Sequence, residues 1–335
     1  MTPLFGHDAA VAAFREGLDG GRLHHAWLIS GPKGIGKALF ADKAALRVLA
    51  QGAGRVDAPG LDVPATHPTA RLVEAGSHPD LMRLERLPKE NGGELARSIT
   101  VEQVRGLQRL FGTTSSMSPW RVVVIDAIDD LERGGANALL KNLEEPPPHS
   151  LFLLVSHATE RLLPTIRSRC RQLRLSRLDD AAMTSALEAA LPDADRSEIK
   201  ALREIAEGSP GRAAAFRGLD IGALDAAMRE LVRAGDPTNA RRSKLASALA
   251  LKSAQPRYEA FLARVPPTIA AAARRRRGAA LAEALALWER ASGLAGSAVG
   301  LSLEPHSVVF ELAGLLAALA PASPPQHAGR DRAIS

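Results

Sequence analysis

Cysteine and aromatic residues are scarce in this sequence of 335 residues, and each scarcity excludes a class of function. The single cysteine, Cys170, cannot form an intramolecular disulfide, and a zinc site built from several cysteines is impossible. Both points favour a protein of the reducing cytoplasm. Phe, Trp and Tyr together make up only 4% of the residues, which argues against base stacking along single-stranded nucleic acid as the main activity.

Long hydrophobic runs are also missing. The longest apolar stretch, near residues 312–320, is far shorter than the roughly 20 residues that a transmembrane helix needs. Residues 1–20 lack the basic start and apolar run of a secretory signal peptide. We therefore expect a cytoplasmic protein with no membrane partner. The net charge of +6 is compatible with nucleic acid or an acidic partner, and equally with a basic solvated surface.

Short apolar runs alternate with helical patterns in the first half of the chain. Residues 25–30, 121–126 and 151–155 predict strands, and residues 99–111 predict a helix with Thr100 as its N-cap. Continuous apolar strands are typical of a parallel sheet that is covered on both faces. The pattern predicts an α/β domain over residues 1–175, with a parallel sheet and helices on both faces.

Only helical patterns, rich in Ala, Leu and Arg, follow this region. Turn signals interrupt them, among them the pair Pro266-Pro267. We expect a small helical domain at 176–220 and a larger all-α domain at 221–321. The Pro/Ser-rich tail at 322–335 is predicted to be disordered.

A glycine-rich segment between the first predicted strand and the next helix fits the phosphate-binding pattern G-x-x-x-x-G-K. Its glycines let backbone N–H groups turn toward an anion, the helix N-terminus adds its dipole, and the lysine reaches the outer phosphates. The alternative, a chance glycine-rich turn, is disfavoured by the strand–loop–helix context. The predicted phosphate-binding residues are Gly31, Pro32, Lys33, Gly34, Ile35, Gly36 and Lys37.

Two residue types that ATP hydrolysis requires are absent from this site. Ala38 stands where a Ser or Thr hydroxyl normally binds Mg²⁺. Asp126 ends the second predicted strand, as a metal-organising aspartate does, but Ala127 follows it in place of a carboxylate that would orient water. The alternative for Asp126 is a strand-ending cap, and we expect Asp129 to face away. The sequence therefore predicts that ATP or ADP is bound, if at all, without a metal and without hydrolysis.

Four motifs occur together in the first 175 residues: RLHHAW at 22–27, the loop GPKGIGK, ANALLKNLEEPP at 136–147 and IRSRC at 166–170. Together they resemble the clamp-loader subunits of bacterial DNA polymerase III, which are AAA+ proteins. The segment GSPGR at 208–212 extends the resemblance weakly, and beyond it only length and helical character agree. The resemblance implies an AAA+ P-loop domain, a small helical lid and an all-α oligomerisation collar.

In that family the Ser-Arg-Cys motif supplies an arginine finger to the ATP site of the neighbouring subunit, which implies this role for Arg169. A guanidinium suits the role because it offers a fixed charge and a planar set of donors, and such fingers are worth about 10³–10⁵ in rate. The alternative is a basic surface, solvated or facing DNA, formed by the arginines of this region. They are Arg161, Arg167, Arg169, Arg171, Arg174 and Arg177.

The resemblance implies roles for two further polar residues. Ser156 follows the third predicted strand, where the family has its sensor-1 residue, and Arg212 matches the sensor-2 arginine of the lid. Both would contact phosphate in an active relative. Structural roles at a domain interface are the alternative, since no catalysis is expected here.

The region between the P-loop and the second predicted strand departs from the family pattern. Many relatives carry a four-cysteine zinc module there, and this chain has no cysteine in the region. His67 and His78 each precede a proline and have no paired ligand, so no zinc or other metal site is expected. We expect the irregular segment at 51–79 to be held by packing alone.

The leading hypothesis is a hydrolysis-deficient clamp-loader subunit that supplies Arg169 in trans and helps to load a sliding clamp on primed DNA. Its implied partners are the motor ATPase and delta subunits, the sliding clamp and, through the complex, primer–template DNA. The chain would then have no intrinsic ATPase but belong to the DNA polymerase III holoenzyme, a nucleotidyltransferase. The run of four arginines at 274–277 either contacts phosphate or an acidic partner, or lies in a solvated turn.

Two other functions come from the enzyme class. An active AAA+ motor subunit is the alternative, and Ala38 and Ala127 argue against it. A small-molecule P-loop kinase would need its own magnesium site and would leave the long helical C-terminal half unexplained.

Overall fold

The computed structural model describes residues 2–89, 95–299, 301 and 303–321. Two compact units divide the chain, Met1–Ala214 and Ala215–Ser335. The finer boundaries predicted at residues 175 and 220 stay predictions. The tail at 322–335, predicted to be disordered, lies outside the described residues.

The first unit alternates helices and strands. Its helices are α1 (Asp8–Asp19), α2 (Lys37–Ala53), α3 (Pro68–Glu74), α4 (Val101–Arg105), α5 (Leu107–Gly112), α6 (Arg133–Glu144), α7 (Pro164–Arg167), α8 (Asp180–Ala190), α9 (Arg196–Ala206) and α10 (Pro210–Phe216), the last ending just beyond the unit. Its strands are β1 (Ala26–Ser30), β2 (Leu81–Glu85), β3 (Arg121–Asp126), β4 (Ser150–Ser156) and β5 (Arg171–Arg174).

The five strands form one parallel sheet in the order β2-β3-β4-β1-β5. All residues of β1 and β4 are buried, because alternate side chains enter separate apolar layers on the two faces. Trp27 and Ile29 point into one layer, and Ala26 and Leu28 into the other. The predicted parallel α/β fold with helices on both faces is thus confirmed.

The strand register brings the predicted site residues to one edge. Ser30 lies opposite Ser156, and Asp126 lies between Glu85 on one neighbour and Val155 on the other. In a parallel sheet the carboxyl ends of all strands meet at the same edge, which is where such folds bind ligands. The P-loop begins at this edge, directly after β1.

The local structure predicted for residues 99–111 is wrong in detail. The helix predicted at 99–111 is two short helices, α4 and α5, that meet at Gly106. Thr100 does cap α4, in a capping box in which its hydroxyl accepts from Gln103 N and its own N–H donates to the Gln103 side chain.

The irregular segment after α2 is held by hydrogen bonds as well as by packing. Arg47 donates from Nη1 to the carbonyl oxygens of Ala58 and Asp62, both at 2.9 Å, and Lys43 Nζ lies 2.7 Å from Asp62 Oδ1. The expectation of packing alone is therefore wrong. His67 caps α3, and His78 Nδ1 accepts from the backbone of Asp80, so both imidazoles have local structural partners.

The second unit is built from helices. They are α11 (Ile221–Ala234), α12 (Ala240–Leu249), α13 (Gln255–Ala273), α14 (Ala279–Ala298) and α15 (Pro305–Ala317). The pair Pro266-Pro267 lies inside α13, so the predicted break there is wrong; buried Val265 and Ile269 fix this part of the helix against its neighbours. Arg264 of α13 forms a bidentate pair with Asp225 of α11, with Nε 2.6 Å from Oδ1.

The four arginines at 274–277 lie at the turn between α13 and α14. Arg276 donates from Nη2 to the carbonyl oxygen of Leu319, which ties this turn to the end of α15. Across the residues that the structure covers, no helix combines the length and the apolar character that crossing a membrane requires.

Candidate nucleotide site and surface arginine

The P-loop adopts a backbone that only glycine tolerates at its key positions. Gly34 and Gly36 have φ angles of 81° and 100°, and Gly31 has a φ of 142°. A Cβ on Gly31 would come within 2.3 Å of Leu175 O, and one on Gly34 within 2.6 Å of Ser209 Oγ. The conformation therefore requires glycine at all three positions, and the close approach of neighbouring atoms requires it also at Gly31 and Gly34.

The carbonyl groups of the loop are bound by the protein itself. Lys37 Nζ donates to Gly31 O and Pro32 O, both at 2.7 Å. Ser209 Oγ donates to Lys33 O at 3.0 Å, and Gly211 N donates to Gly34 O at 2.8 Å. His7 Nε2 lies 2.7 Å from the carbonyl oxygen of Ile35.

Four amide groups of the loop differ from its carbonyl groups in this respect. Among the described residues, no hydrogen bond to protein is formed by the N–H groups of Lys33, Gly34, Ile35 or Gly36. Bound carbonyls and available amides at the start of a helix form a cradle for an anion. This backbone fits the phosphates of a nucleotide, which Gly34, Ile35, Gly36 and Lys37 would hold.

Lys37 is buried, with only 3% of its surface exposed. Burial lowers the pKa of its ammonium group to about 8, although the charges of Asp129 and Asp126 act in the opposite direction. The charges of both carboxylates thus act on the amine of the predicted nucleotide site.

Asp126, the predicted metal-organising residue, forms an ion pair with Arg83 of β2, with Oδ2 2.9 Å from Nη2. The same guanidinium contacts Glu85 Oε2 through Nε at 2.7 Å and Asp42 of α2 through Nη1. Ala38 contributes only a methyl group, half-buried on the first turn of α2. Sequence reasoning missed Arg83 and Asp42.

Asp129 does not face away from the site, contrary to the prediction. A short 3₁₀ turn at Ile128–Asp130 brings its carboxylate to the end of β4. There it accepts from Ser156 Oγ at 3.0 Å, from His157 N at 2.6 Å and from Ala158 N at 3.2 Å. Ser156, the predicted sensor-1 residue, is fully buried, and its hydroxyl serves this network.

Arg212, the predicted sensor-2 residue, lies on the first turn of α10, beside the P-loop. The neighbouring Ser209 and Gly211 bind the loop carbonyls, and the Arg212 guanidinium lies 3.4 Å from Glu207 Oε2. Glu207 also pairs with Arg177 at 3.0 Å. The turn GSPGR thus packs directly on the phosphate loop.

Arg169, the predicted finger, lies at the surface with 35% of its side chain exposed. Its Nη2 lies 2.8 Å from Glu144 Oε1, at the end of α6, and its Nη1 donates to Thr165 O at 2.9 Å. Other arginines of the predicted cluster have different partners: Arg171 stacks over the Trp27 ring at 4.8 Å, and Arg177 pairs with Glu207. The cluster is not one uniform basic surface.

Cys170, next to Arg169, is buried, and burial raises the pKa of its thiol to about 12. A thiol this weakly acidic packs as a small apolar group.

A parallel sheet whose first strand leads through a glycine-rich loop into a helix defines the class: the first unit is a P-loop domain of the AAA+ type. Within that class, residues 6–179, more than half of the chain, match the family described as DNA polymerase III, delta subunit, and the chain belongs to this family. This confirms the resemblance to clamp-loader subunits and argues against a small-molecule kinase.

Individual relatives agree with the family. The chain is 36% identical over 204 residues to the DNA polymerase III subunit delta′ of Pseudomonas aeruginosa PAO1, an alignment that covers 60% of this chain and 59% of that protein. It is 32% identical over 212 residues to subunit tau of Escherichia coli K12, covering 63% and 31%. The chain thus spans less than two thirds of the length of these curated relatives.

A solved structure of a DNA polymerase III gamma subunit-related protein from Thermotoga maritima aligns with 92% of this chain and 99% of its own, with a TM-score of 0.43 and 11% identity.

Proposed function

We propose that this chain is a clamp-loader subunit that does not hydrolyse ATP and that supplies Arg169 to the ATP site of a neighbouring subunit. The observation that carries the proposal is the contrast between two sites. At the chain's own P-loop, the methyl group of Ala38 stands in place of a metal-binding hydroxyl, and Asp126 forms an ion pair with Arg83. At the surface, Glu144, Thr165 and Ser168 contact the guanidinium of Arg169.

The hydrogen bonds of Arg169 are compatible with this role. A guanidinium has five N–H donors; Nη2 of Arg169 meets Glu144, and Nη1 meets Thr165 and, at 3.5 Å, Ser168. The remaining donors, on a side chain that is one third exposed, are available to a phosphate. Glu144 would therefore act as a positioning residue for the finger.

Membership of a loader complex would bring the partners that the family implies. These are a motor ATPase and a delta subunit, the sliding clamp and, through the complex, primed DNA, all in the bacterial cytoplasm. In this proposal the P-loop holds ATP or ADP without turning it over, and neither zinc nor another metal takes part.

Reconstitution with a motor subunit, the clamp and primed DNA tests the finger. Arg169→Ala should lower the DNA-stimulated ATPase of the complex by about 10³-fold or more while assembly on a gel-filtration column is unchanged. Arg161→Ala, an exposed arginine of the same surface, is the matched control and should have no effect. An unchanged rate for Arg169→Ala would remove the assignment.

A second candidate is an active motor subunit, which is favoured by the 32% identity to subunit tau and by the buried Lys37 of a nearly complete P-loop. It predicts that the isolated chain turns over ATP at a rate that Lys37→Ala abolishes. We favour the first proposal because Ala38 and the Arg83–Asp126 ion pair both act against metal-dependent turnover.

A further inference from the structure

The guanidinium of Arg83 has a different carboxylate on each of its three nitrogens. Nε meets Glu85 at 2.7 Å, Nη2 meets Asp126 at 2.9 Å, and Nη1 meets Asp42. The four side chains come from two neighbouring strands, β2 and β3, and from helix α2. One cation thus offsets part of the negative charge of three neighbouring carboxylates.

This cluster lies at the nucleotide site. Asp126 is the last residue of β3, and Glu85 lies opposite it in the register of the sheet. Asp42 lies little more than one turn beyond Lys37 on the helix that starts at the P-loop. The Asp126 charge acts on Lys37, so the cluster and the phosphate cradle share one electrostatic environment.

Magnesium does not fit these residues. It needs near-octahedral oxygen ligands at about 2.0–2.1 Å, usually one or two carboxylates together with phosphates and water. The P-loop offers no hydroxyl at Ala38, and one Asp126 oxygen is already bound to a fixed cation. Throughout the described part of the chain, no group of three or more His, Cys, Asp and Glu side chains is arranged to hold a metal.

Arginine suits this position better than lysine. Its planar fork directs N–H donors toward three carboxylates at once, which a single ammonium centre does less well. Burial by itself would lower the pKa of Arg83, but its hydrogen bond to the Glu85 carboxylate and the charges of Asp42, Glu85 and Asp126 outweigh it and raise the pKa. The side chain remains a permanent cation.

We propose that Arg83 takes the place of a divalent cation beside Asp126 and thereby excludes metal from this P-loop. If metal is excluded, a phosphate bound at the loop would be held by backbone amides and Lys37 alone. This statement about nucleotide rests on the proposed function, in which the P-loop holds ATP or ADP. The exclusion of metal does not depend on it.

Binding of Mn²⁺, followed by electron paramagnetic resonance on the isolated chain without nucleotide, tests the exclusion directly. Wild type should bind Mn²⁺ no better than Asp126→Asn. Arg83→Gln should gain affinity by roughly tenfold or more, because a positive charge a few ångströms from the ion is removed. The double variant Arg83→Gln/Asp126→Asn should lose that gain. Arg86→Gln is the matched control, since Arg86 pairs with Asp130 at 3.1 Å on the same edge and should leave Mn²⁺ binding unchanged.

Two results would overturn the proposal: Mn²⁺ binding by wild type that Asp126→Asn abolishes, or a folded Arg83→Gln that binds no more Mn²⁺ than wild type. Circular dichroism establishes whether the variant is folded. If it is not, the comparison of wild type with Asp126→Asn still decides, because equal binding supports exclusion and a loss refutes it. Neither measurement involves ATPase activity or assembly, so failure of the arginine-finger proposal would be seen separately, in the reconstituted complex.

Discussion

Glu144 gives the most specific test of how the surface arginine is held. Its carboxylate lies 2.8 Å from Arg169 Nη2, and the two side chains are 46% and 35% exposed, respectively. Pairs this exposed are typically worth about 0.2–1 kcal/mol. If that energy serves to orient the finger, Glu144→Gln should lower the kcat of the reconstituted ATPase by only about 1.4- to 5-fold, far less than loss of the guanidinium itself.

The assay is steady-state ATP hydrolysis by the complete complex at low and high salt. The deficit of Glu144→Gln should shrink at high salt, because screening weakens the wild-type pair as well, and KM should change little. Glu145→Gln, a change of the neighbouring exposed carboxylate, is the control. Three results would refute the reasoning: a loss as large as that of Arg169→Ala, an increase in rate, or equal effects of the two glutamine variants.

Two further predictions concern stability. The folded pKa of Lys37, about 8, lies below its ordinary value of 10.5, so the cost of burying the charged amine is fully present below pH 8 and is relieved as the pH rises toward 10.5. Urea denaturation should therefore show wild type gaining about 1–3 kcal/mol over Lys37→Gln across that window, and parallel pH profiles would contradict the assigned burial. Asp80 is buried and accepts from the backbone N–H groups of Ser116, Met117 and Ser118. Asp80→Ala should cost about 3 kcal/mol, whereas the exposed control Asp57→Ala should cost about 0.5 kcal/mol or less, and similar midpoints for both would refute the role of this carboxylate.

The central strands could be predicted from sequence because burial on both faces produces continuous apolar runs. The edge strands β2 and β5 were missed because each is short and mixes apolar with charged residues, as in LMRLE and RQLR. In β2 the alternation itself is a usable signal, since it puts Arg83 and Glu85 on one face. The pair Pro266-Pro267 predicts a break between helices that the structure does not have. Tertiary packing of α13 overrides the local preference of the two prolines.

The phosphate loop could be predicted because its residues are adjacent in the chain. The contacts that decide its chemistry join residues that are far apart in the sequence: Arg83 and Asp126 are 43 positions apart, and Ser209 and Lys33 are 176 positions apart. The position of Asp129 depends on a single 3₁₀ turn, which no periodic pattern indicates. Long-range contacts such as that between Arg83 and Asp126 depend on which strands are neighbours in the sheet. The strand order cannot be derived without the two edge strands, which the sequence does not clearly predict.

The charges of the first unit support a division of roles between its two sites. Three charged groups at the P-loop are bound by the chain itself: Asp126 by Arg83, Asp129 by the end of β4, and Lys37 by carbonyl groups of its own loop. A nucleotide could compete for Lys37 through its phosphates, but it displaces Asp126 from Arg83 less readily, because three carboxylates hold that guanidinium. Arg169 is bound by an exposed carboxylate, one carbonyl and, at 3.5 Å, the Ser168 hydroxyl, which a γ-phosphate with its greater charge can share or displace. Arg169 can therefore accept a further binding partner more readily than Asp126 can. The ATPase activity of the proposed complex should then depend on Arg169 and not on Asp126.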